Sequence, residues 1–294
     1  MEYIPAKHLL HRSKSTEWFG TDHTMNLYRG CCHGCLYCDS RSACYQNPDF
    51  DRVKAKADAL RLLRDDLARK AKPAFITMGS MSDPYNPFEE ELQLTRHALA
   101  LIDAYQCGVA AATKSDLIVR DIDLYRLIQD HSPVICKLTV TTTDDALAAK
   151  IEPHAPPPSR RLRALEELAK AGIFSGVLLM PVLPYVEDSA ENVLSVVDSA
   201  ARAGARFVYA AFGVTMRDGQ RDYFLNGLDR AFPGMGERYR KRYGSRYYCS
   251  SPRAKELWEL FSSRCRELGL LYEMKHIISA ATRSYEDRQL SFFD

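Results

Sequence analysis

Across residues 23–215 short apolar runs alternate with amphipathic segments, and this β–α rhythm narrows the possible folds more than any other property of the chain. Residues 25–29, 74–78, 108–113, 134–141, 174–181 and 206–212 read as strands, and residues 51–70, 89–105, 116–130, 159–171 and 189–203 as helices between them. In the first helical segment Ala57, Leu60, Leu63 and Leu67 recur at spacings of three and four. Strands separated by helices imply a parallel sheet with helices over it. Six units are too few for a closed eight-stranded barrel. The pattern therefore predicts an α/β fold, an open, partial (β/α)6 barrel of the TIM type, with its chemistry at the C-terminal strand ends.

Four regions follow from this reading. Residues 1–22 form an arm without clear periodicity, and residues 23–215 form the barrel. Residues 216–286 form a mainly helical extension, with helices at 222–231, 237–243 and 252–268 and a short strand at 271–276, placed to close the barrel's open side. Residues 287–294 are a tail. With 46% hydrophobic and 27% charged residues the composition is that of a folded globular protein, not a disordered one. The first residues lack a basic segment followed by an apolar run, and no stretch approaches the ~18 apolar residues of a membrane span. A cytoplasmic protein is expected. Net charge is +2, so any affinity for nucleic acid must come from a local patch.

The first strand ends in the run Tyr28 Arg29 Gly30 Cys31 Cys32 His33 Gly34 Cys35 Leu36 Tyr37 Cys38, whose cysteine loop follows directly. Cys31, Cys35 and Cys38 have the spacing C-x3-C-x2-C, which gathers three thiolates in one loop. A cubane [4Fe-4S] cluster usually takes four cysteines, so three with no obvious fourth leave one iron open to an exogenous ligand. A zinc site is the alternative, with His33 as fourth donor, but zinc ligands usually come as two C-x2-4-C pairs and no second pair follows. A disulfide framework fits poorly: nine cysteines are an odd number, and a chain of 294 residues needs no staples. Cys32 and Cys44 are spare thiols nearby.

The loop, including the aromatic Tyr37 ahead of the last cysteine, resembles the signature of the radical S-adenosylmethionine (SAM) superfamily. Within it, Tyr28 Arg29 Gly30 Cys31, Cys38 Asp39 Ser40 Arg41 Ser42 and Ser82 Asp83 Pro84 Tyr85 Asn86 Pro87 are similar to the spore photoproduct lyase-like group, widely labelled DNA repair photolyases. The resemblance implies a [4Fe-4S] cluster on Cys31, Cys35 and Cys38, SAM chelated at the open iron, and an electron donor such as flavodoxin or ferredoxin. Gly79 and Ser80, ending the second strand, suit close approach of the SAM amine. Lys114 at the end of the third strand resembles the family's lysine for the SAM carboxylate. Thr141 is a candidate for the ribose, Arg161 for a second carboxylate contact, and Met180 for the adenine.

Spore photoproduct lyases return a hydrogen atom from a cysteine after the second strand. The corresponding stretch here, Gly79 Ser80 Met81 Ser82 Asp83, has no thiol. A serine O–H bond is too strong to replace an S–H donor, so thymine-dimer repair by that route is not expected. Tyr85, Cys107 and Cys136 are the alternative donors, against the plainer reading of the cysteines as packing residues.

Two features point toward nucleic acid. Arg238, Arg240, Lys241, Arg242, Arg246 and Arg253 are interleaved with Tyr239, Tyr243, Tyr247 and Tyr248, where arginines would engage phosphates and tyrosines would stack on unpaired bases. The plain alternative is a basic helix whose tyrosines pack on the barrel. At the C-terminus Gln289, Leu290, Phe292 and Phe293 resemble the bacterial sliding-clamp-binding motif. The expected function is radical SAM chemistry on a DNA or RNA substrate, as lesion repair or base modification. Modification of a peptide, protein or small metabolite is the second enzyme reading, and a non-catalytic iron-sulfur adaptor on the clamp is the third.

Overall fold

The apolar runs pair as one sheet in the computed structural model, which describes the backbone of residues 1–290 and the side chains of residues 1–285. In chain order the strands are β1 (Glu2–Ile4), β2 (Leu10–Arg12), β3 (His23–Met25), β4 (Tyr28–Arg29), β5 (Lys54–Lys56) and β6 (Phe75–Met78). They continue as β7 (Gly108–Thr113), β8 (Val134–Thr139), β9 (Ser175–Leu179), β10 (Phe207–Ala210), β11 (Gly213–Thr215) and β12 (Tyr248–Ser250). The helices are α1 (Ala59–Ala68), α2 (Glu89–Leu92), α3 (Leu94–Ala104), α4 (Ile122–Gln129), α5 (Asp145–Ile151) and α6 (Pro158–Lys170). After them come α7 (Ala190–Arg202), α8 (Gln220–Ala231), α9 (Met235–Tyr243), α10 (Ala254–Glu267) and α11 (Met274–Leu290).

β3, β6, β7, β8, β9 and β10 lie parallel in that order, and β2 adds an antiparallel strand beside β3. The end strands β2 and β10 do not pair, so the (β/α)6 barrel stays open. Successive strand residues point to opposite faces. Val109, Cys136, Leu138, Val177 and Val208 join helix residues such as Leu99, Tyr125, Leu165 and Val197 in the outer core. Ala110, Ile135, Leu178 and Phe207 point inward, onto Phe19 from the arm and Ile277 and Ala281 from α11. The C-terminal extension is thus divided. Leu257, Phe261 and Cys265 of α10 join the outer core, while α11 packs on the inner face.

Several segments depart from their local pattern because of distant partners. Residues 51–70 are not one helix: Lys54–Lys56 pairs parallel with β1 and antiparallel with β4, and the helix starts only at Ala59. The run 25–29 divides likewise, its first part in the barrel and Tyr28–Arg29 turning away to β5. Residues 89–105 break at Gln93 (φ +49°), where the buried Glu89 carboxylate accepts the Thr95 N–H at 2.8 Å and caps α3. Glu89 also takes the Tyr28 hydroxyl and pairs with Arg120 at 3.1 Å. Residues 116–121 form a 3-10 turn ahead of α4.

Residues 271–276 are not a strand. Leu271 makes a single bridge to Phe207, and α11 starts at Met274. α5 has no counterpart in the sequence reading; Asp144 caps it by accepting the N–H groups of Ala146 and Leu147 at 2.8 and 3.1 Å. Among the described residues no helix is long and apolar enough to cross a membrane.

Candidate cluster and cofactor site

The cysteine loop leaves the first barrel strand and is fastened by three main-chain hydrogen bonds to two distant segments, one at Phe50 and one at residues 151–154. Cys31 N–H donates to Phe50 O (2.8 Å), Leu36 N–H to Ile151 O (2.9 Å) and His154 N–H to His33 O (3.1 Å). Gly30 permits this course: its φ is +83°, and a Cβ there would stand 2.6 Å from Phe50 O and 2.7 Å from Arg52 O.

Cys31, Cys35 and Cys38 all line one cavity of about 460 Å³ at the C-terminal ends of the barrel strands. Gly79, Ser80, Lys114, Met180 and Tyr37 line it too. Gly79, at φ +87°, would bring a Cβ within 2.1 Å of Ala112 O, so this strand end admits no side chain.

Burial raises the thiol of Cys35 to about 12 and also raises those of Cys31 and Cys38, while Lys114 pulls Cys35 and Cys38 the other way. The thiols are therefore protonated until a metal displaces their protons. Among the described residues no three His, Cys, Asp or Glu side chains are drawn together as ligands of a single ion would be. A cubane asks for something else, one sulfur on each of three irons. Three cysteines lining one cavity, with a lysine beside Cys35 and Cys38, fit that donor set.

Lys114 is the cation of the cavity. Its Nζ lies 5.4 Å from the centroid of the Tyr37 ring and, among the described residues, has no carboxylate partner. Asp83 holds this corner together: it accepts the Thr113 hydroxyl (2.6 Å) and the Lys114 N–H (2.9 Å), and stands 3.4 Å from His33 Nδ1. One carboxylate thus joins the Ser82–Asp83–Pro84 turn, the end of β7 and the cysteine loop.

Behind the loop lies a buried ionic network. The Tyr37 hydroxyl donates to Glu152, whose other oxygen pairs with Arg161 Nη2 at 2.6 Å. Arg161 also donates from Nε to Pro156 O (2.6 Å) and from Nη1 to Thr139 O (3.0 Å). Its guanidinium is committed, and it does not line the cavity. Its role here is to hold Glu152 and through it Tyr37. Burial dominates at Glu152, but Arg161 and Lys114 bring its carboxyl below the ordinary range. A buried pair of this kind is costly to break from one side.

Other expected residues stand elsewhere. Thr141 is buried outside the cavity, near Glu187; of the threonines on and just after β8 it is Thr139 that lines the cavity, together with Thr77, Thr113 and Thr215 from other strands. Tyr85 is fully buried with its hydroxyl 2.8 Å from that of Tyr125, and Cys107 and Cys136 pack in the outer core. None of these three reaches the cavity, so none can return a hydrogen atom to a substrate in it. In the basic segment Tyr239 and Tyr243 point inward, their hydroxyls donating to Pro184 O and Ser250 O at 2.8 and 2.7 Å. Arg240 and Lys241 are paired with Asp229 and Glu237, and Arg238 stacks on Tyr185 at 3.7 Å. Arg242, Arg246 and Tyr247 are exposed. Phe292 and Phe293, and the side chains of Gln289 and Leu290, lie outside the described residues.

The cavity mouth carries one residue that no local pattern marked, Trp18, and one from the basic tyrosine segment, Tyr248. Trp18, 38% exposed, and Tyr248, 45% exposed, both line it. Trp18 meets the Tyr209 ring edge-on at 5.6 Å. Beside Tyr248, Arg217 lies over the rings of Tyr247 and Tyr45 at 5.4 and 5.7 Å. Rings from the arm and from β12 thus share the cavity wall, while Arg217, 3.5 Å from Asp39, and Tyr247 line a neighbouring depression.

Residues 25–210 match the Radical SAM superfamily, and the chain belongs to it. It carries that superfamily's catalytic domain, with which the use of a [4Fe-4S] cluster and SAM goes. Among curated proteins it is 32% identical to an uncharacterised protein of Mycobacterium tuberculosis over 228 residues, 75% of this chain and 67% of the relative. An uncharacterised protein of Methanocaldococcus jannaschii is 31% identical over 169 residues, 58% of this chain and 63% of the relative. The fold is similar to that of spore photoproduct lyase complexed with dinucleoside spore photoproduct (TM-score 0.67, 15% identity, 92% of this chain and 81% of that one). It is also similar to the radical SAM methyltransferase TsrM of Kitasatospora setae with cobalamin and a [4Fe-4S] cluster bound (TM-score 0.57, 11% identity, 90% and 61%).

Proposed function

We propose that the chain holds a [4Fe-4S] cluster on Cys31, Cys35 and Cys38, cleaves SAM reductively, and acts on a base of a nucleic acid brought to the cavity mouth. When bound, the cluster supplies the electron that splits SAM into methionine and a 5′-deoxyadenosyl radical, and the radical takes hydrogen from the substrate. The chain's own residues bind and orient. Lys114 offers its ammonium to the SAM carboxylate, Gly79 lets backbone approach the amine, and Met180 and Thr139 form apolar and hydroxyl walls for the nucleoside. Asp83 and the Tyr37–Glu152–Arg161 network keep the loop and the lysine in register.

The observation that carries the nucleic-acid part is the pair of partly exposed rings on the cavity wall, Trp18 from the arm and Tyr248 from β12, with Arg217 over the ring of the neighbouring Tyr247. Base–ring stacking is sequence-tolerant and suits an unpaired nucleotide, and arginine supplies the phosphate contact. The similar spore photoproduct lyase structure, a complex with a dinucleoside photoproduct, supports the same class of substrate. The cavity's thiols are those of the three loop cysteines, so hydrogen return from a further cysteine, as in dimer repair, is not part of this reading.

Anaerobic reconstitution, reduction and assay for 5′-deoxyadenosine test the first part. Product is expected from wild type, and Lys114→Met should weaken SAM binding about tenfold or more; no product from a fully loaded protein rejects it. For the second part, affinity for a single-stranded oligonucleotide should fall log-linearly with salt. The Trp18→Ala and Tyr248→Ala variants should each lose about 1–3 kcal/mol. Salt-independent binding, or none, rejects the nucleic-acid substrate.

A further inference from the structure

The cysteine loop has two sides. Cys31, His33, Cys35 and Tyr37 line the reaction cavity, whereas the alternate residues Cys32, Gly34 and Leu36 line a separate open depression of about 630 Å³. A body seated in that depression is separated from the cluster ligands by one thickness of backbone. The opposite wall brings Lys150 from the end of α5, His154 after it, and Tyr223 and Arg230 from α8.

Charge at this depression is uncompensated. Lys150 and Arg230 are exposed and, among the described residues, neither is in an ion pair; Lys150 Nζ lies 5.5 Å over the Phe232 ring. Asp51, the lining carboxylate, is already held by both terminal nitrogens of Arg41. The depression thus presents net positive charge at the place where the loop is reached from outside the cavity. During turnover the cavity itself is filled by SAM and substrate, so an electron has to enter by another face.

We propose that this depression is the docking site of an acidic, low-potential one-electron carrier protein, which Lys150 and Arg230 attract and hold against the back of the cysteine loop. The inference rests on the reading of that loop as a cluster site. In the transfer the carrier is oxidised by one electron and the cluster reduced by one; no bond is made or broken. Electron-transfer encounters are small and steered by opposite charge, so the two cations act on the association rate and its salt dependence.

The test compares wild type, Lys150→Glu/Arg230→Glu and Lys72→Glu, a control at an exposed lysine ahead of β6. Each reconstituted protein is mixed with reduced flavodoxin, and cluster bleaching is followed in a stopped-flow instrument from low to high salt; binding of oxidised flavodoxin to the cluster-free chains is measured in parallel. The double variant should bleach at least about tenfold more slowly at low salt, lose most of its salt dependence and bind flavodoxin about tenfold more weakly. Lys72→Glu should match wild type. Dithionite needs no docking and should reduce all three at one rate. Wild-type bleaching and binding in the double variant, equal losses in Lys72→Glu, or equal slowing with dithionite would each overturn the docking site. Failure of the radical SAM reading would be seen separately, as a cluster that bleaches with dithionite yet yields no 5′-deoxyadenosine from SAM.

Discussion

Lys137 is the residue whose surroundings conflict most with its chemistry. It sits on the inner face of β8 between Ile135 and Thr139, fully buried, with its Nζ unbonded among the described residues and 4.3 Å from the centre of the Phe19 ring. Burial lowers its pKa from 10.5 to about 7. Because the folded value lies below the unfolded one, the group costs nothing above pH 10.5, and the cost grows as pH falls toward 7 and is constant below. Lys137→Met keeps the shape and removes the amine. We expect that variant to be more stable than wild type at pH 7, by on the order of 1–3 kcal/mol, with the gap closing as pH rises toward 10.5. Urea melts at pH 7 and 9.5 measure this, and a gap that stays constant would show that the amine is not the cause. Lys114 and Arg161 make the complementary point. Both are cations beside the same loop, yet one faces the cavity and the other is spent on Glu152; the difference depends on a carboxylate nine residues from Arg161 that carries no motif.

Among the elements, β9 shows how close packing sets a residue type. Gly176 lies opposite Lys137 on β8 and Phe207 on β10. A Cβ at that position would stand 2.4 Å from Phe207 O and 2.6 Å from its ring. Gly176→Ala must therefore shift the sheet or the ring, and a loss of about 1–3 kcal/mol is expected by chemical denaturation. Full stability in that variant would mean that Phe207 has room to move. α9 teaches a different lesson. Tyr239 and Tyr243 are four residues apart and form its buried face, while the basic residues occupy the outer one. The tyrosines left for stacking are those beyond the helix, Tyr247 and Tyr248, of which Tyr248, on β12 beside β11, lines the cavity.

On the scale of the whole molecule, the arm and the C-terminal extension are parts of the barrel's packing. Phe19 and Ile277 come from opposite ends of the chain and share one cluster with the inward faces of β7, β8, β9 and β10. The two tryptophans report on this conveniently, Trp18 in the arm and Trp258 in α10. Unfolding followed through single-tryptophan variants should give coincident transitions. Ile277→Ala, at a fully buried position, should lower both by about 2–4 kcal/mol. If the Trp258 signal moved first, the extension would be an independently unfolding unit.

What the sequence alone determined is information carried over short distances: the rhythm of strands and helices, six parallel units, and a three-cysteine loop after the first of them. Periodicity and ligand spacing need only neighbouring residues, so they are legible without a fold. Two of the misread segments depend on partners far along the chain. Residues 54–56 become a strand because β1 and β4 flank them, and residues 89–105 break because Glu89 is drawn to Tyr28 and Arg120. Only the tertiary structure decided which side chains face the cavity, because burial and charge pairing are properties of the assembled surface. It brought Trp18, Thr139 and Tyr248 to the mouth and Asp83 beneath it, turned Arg161 and Tyr85 away, and put Lys150 and Arg230 behind the cysteine loop.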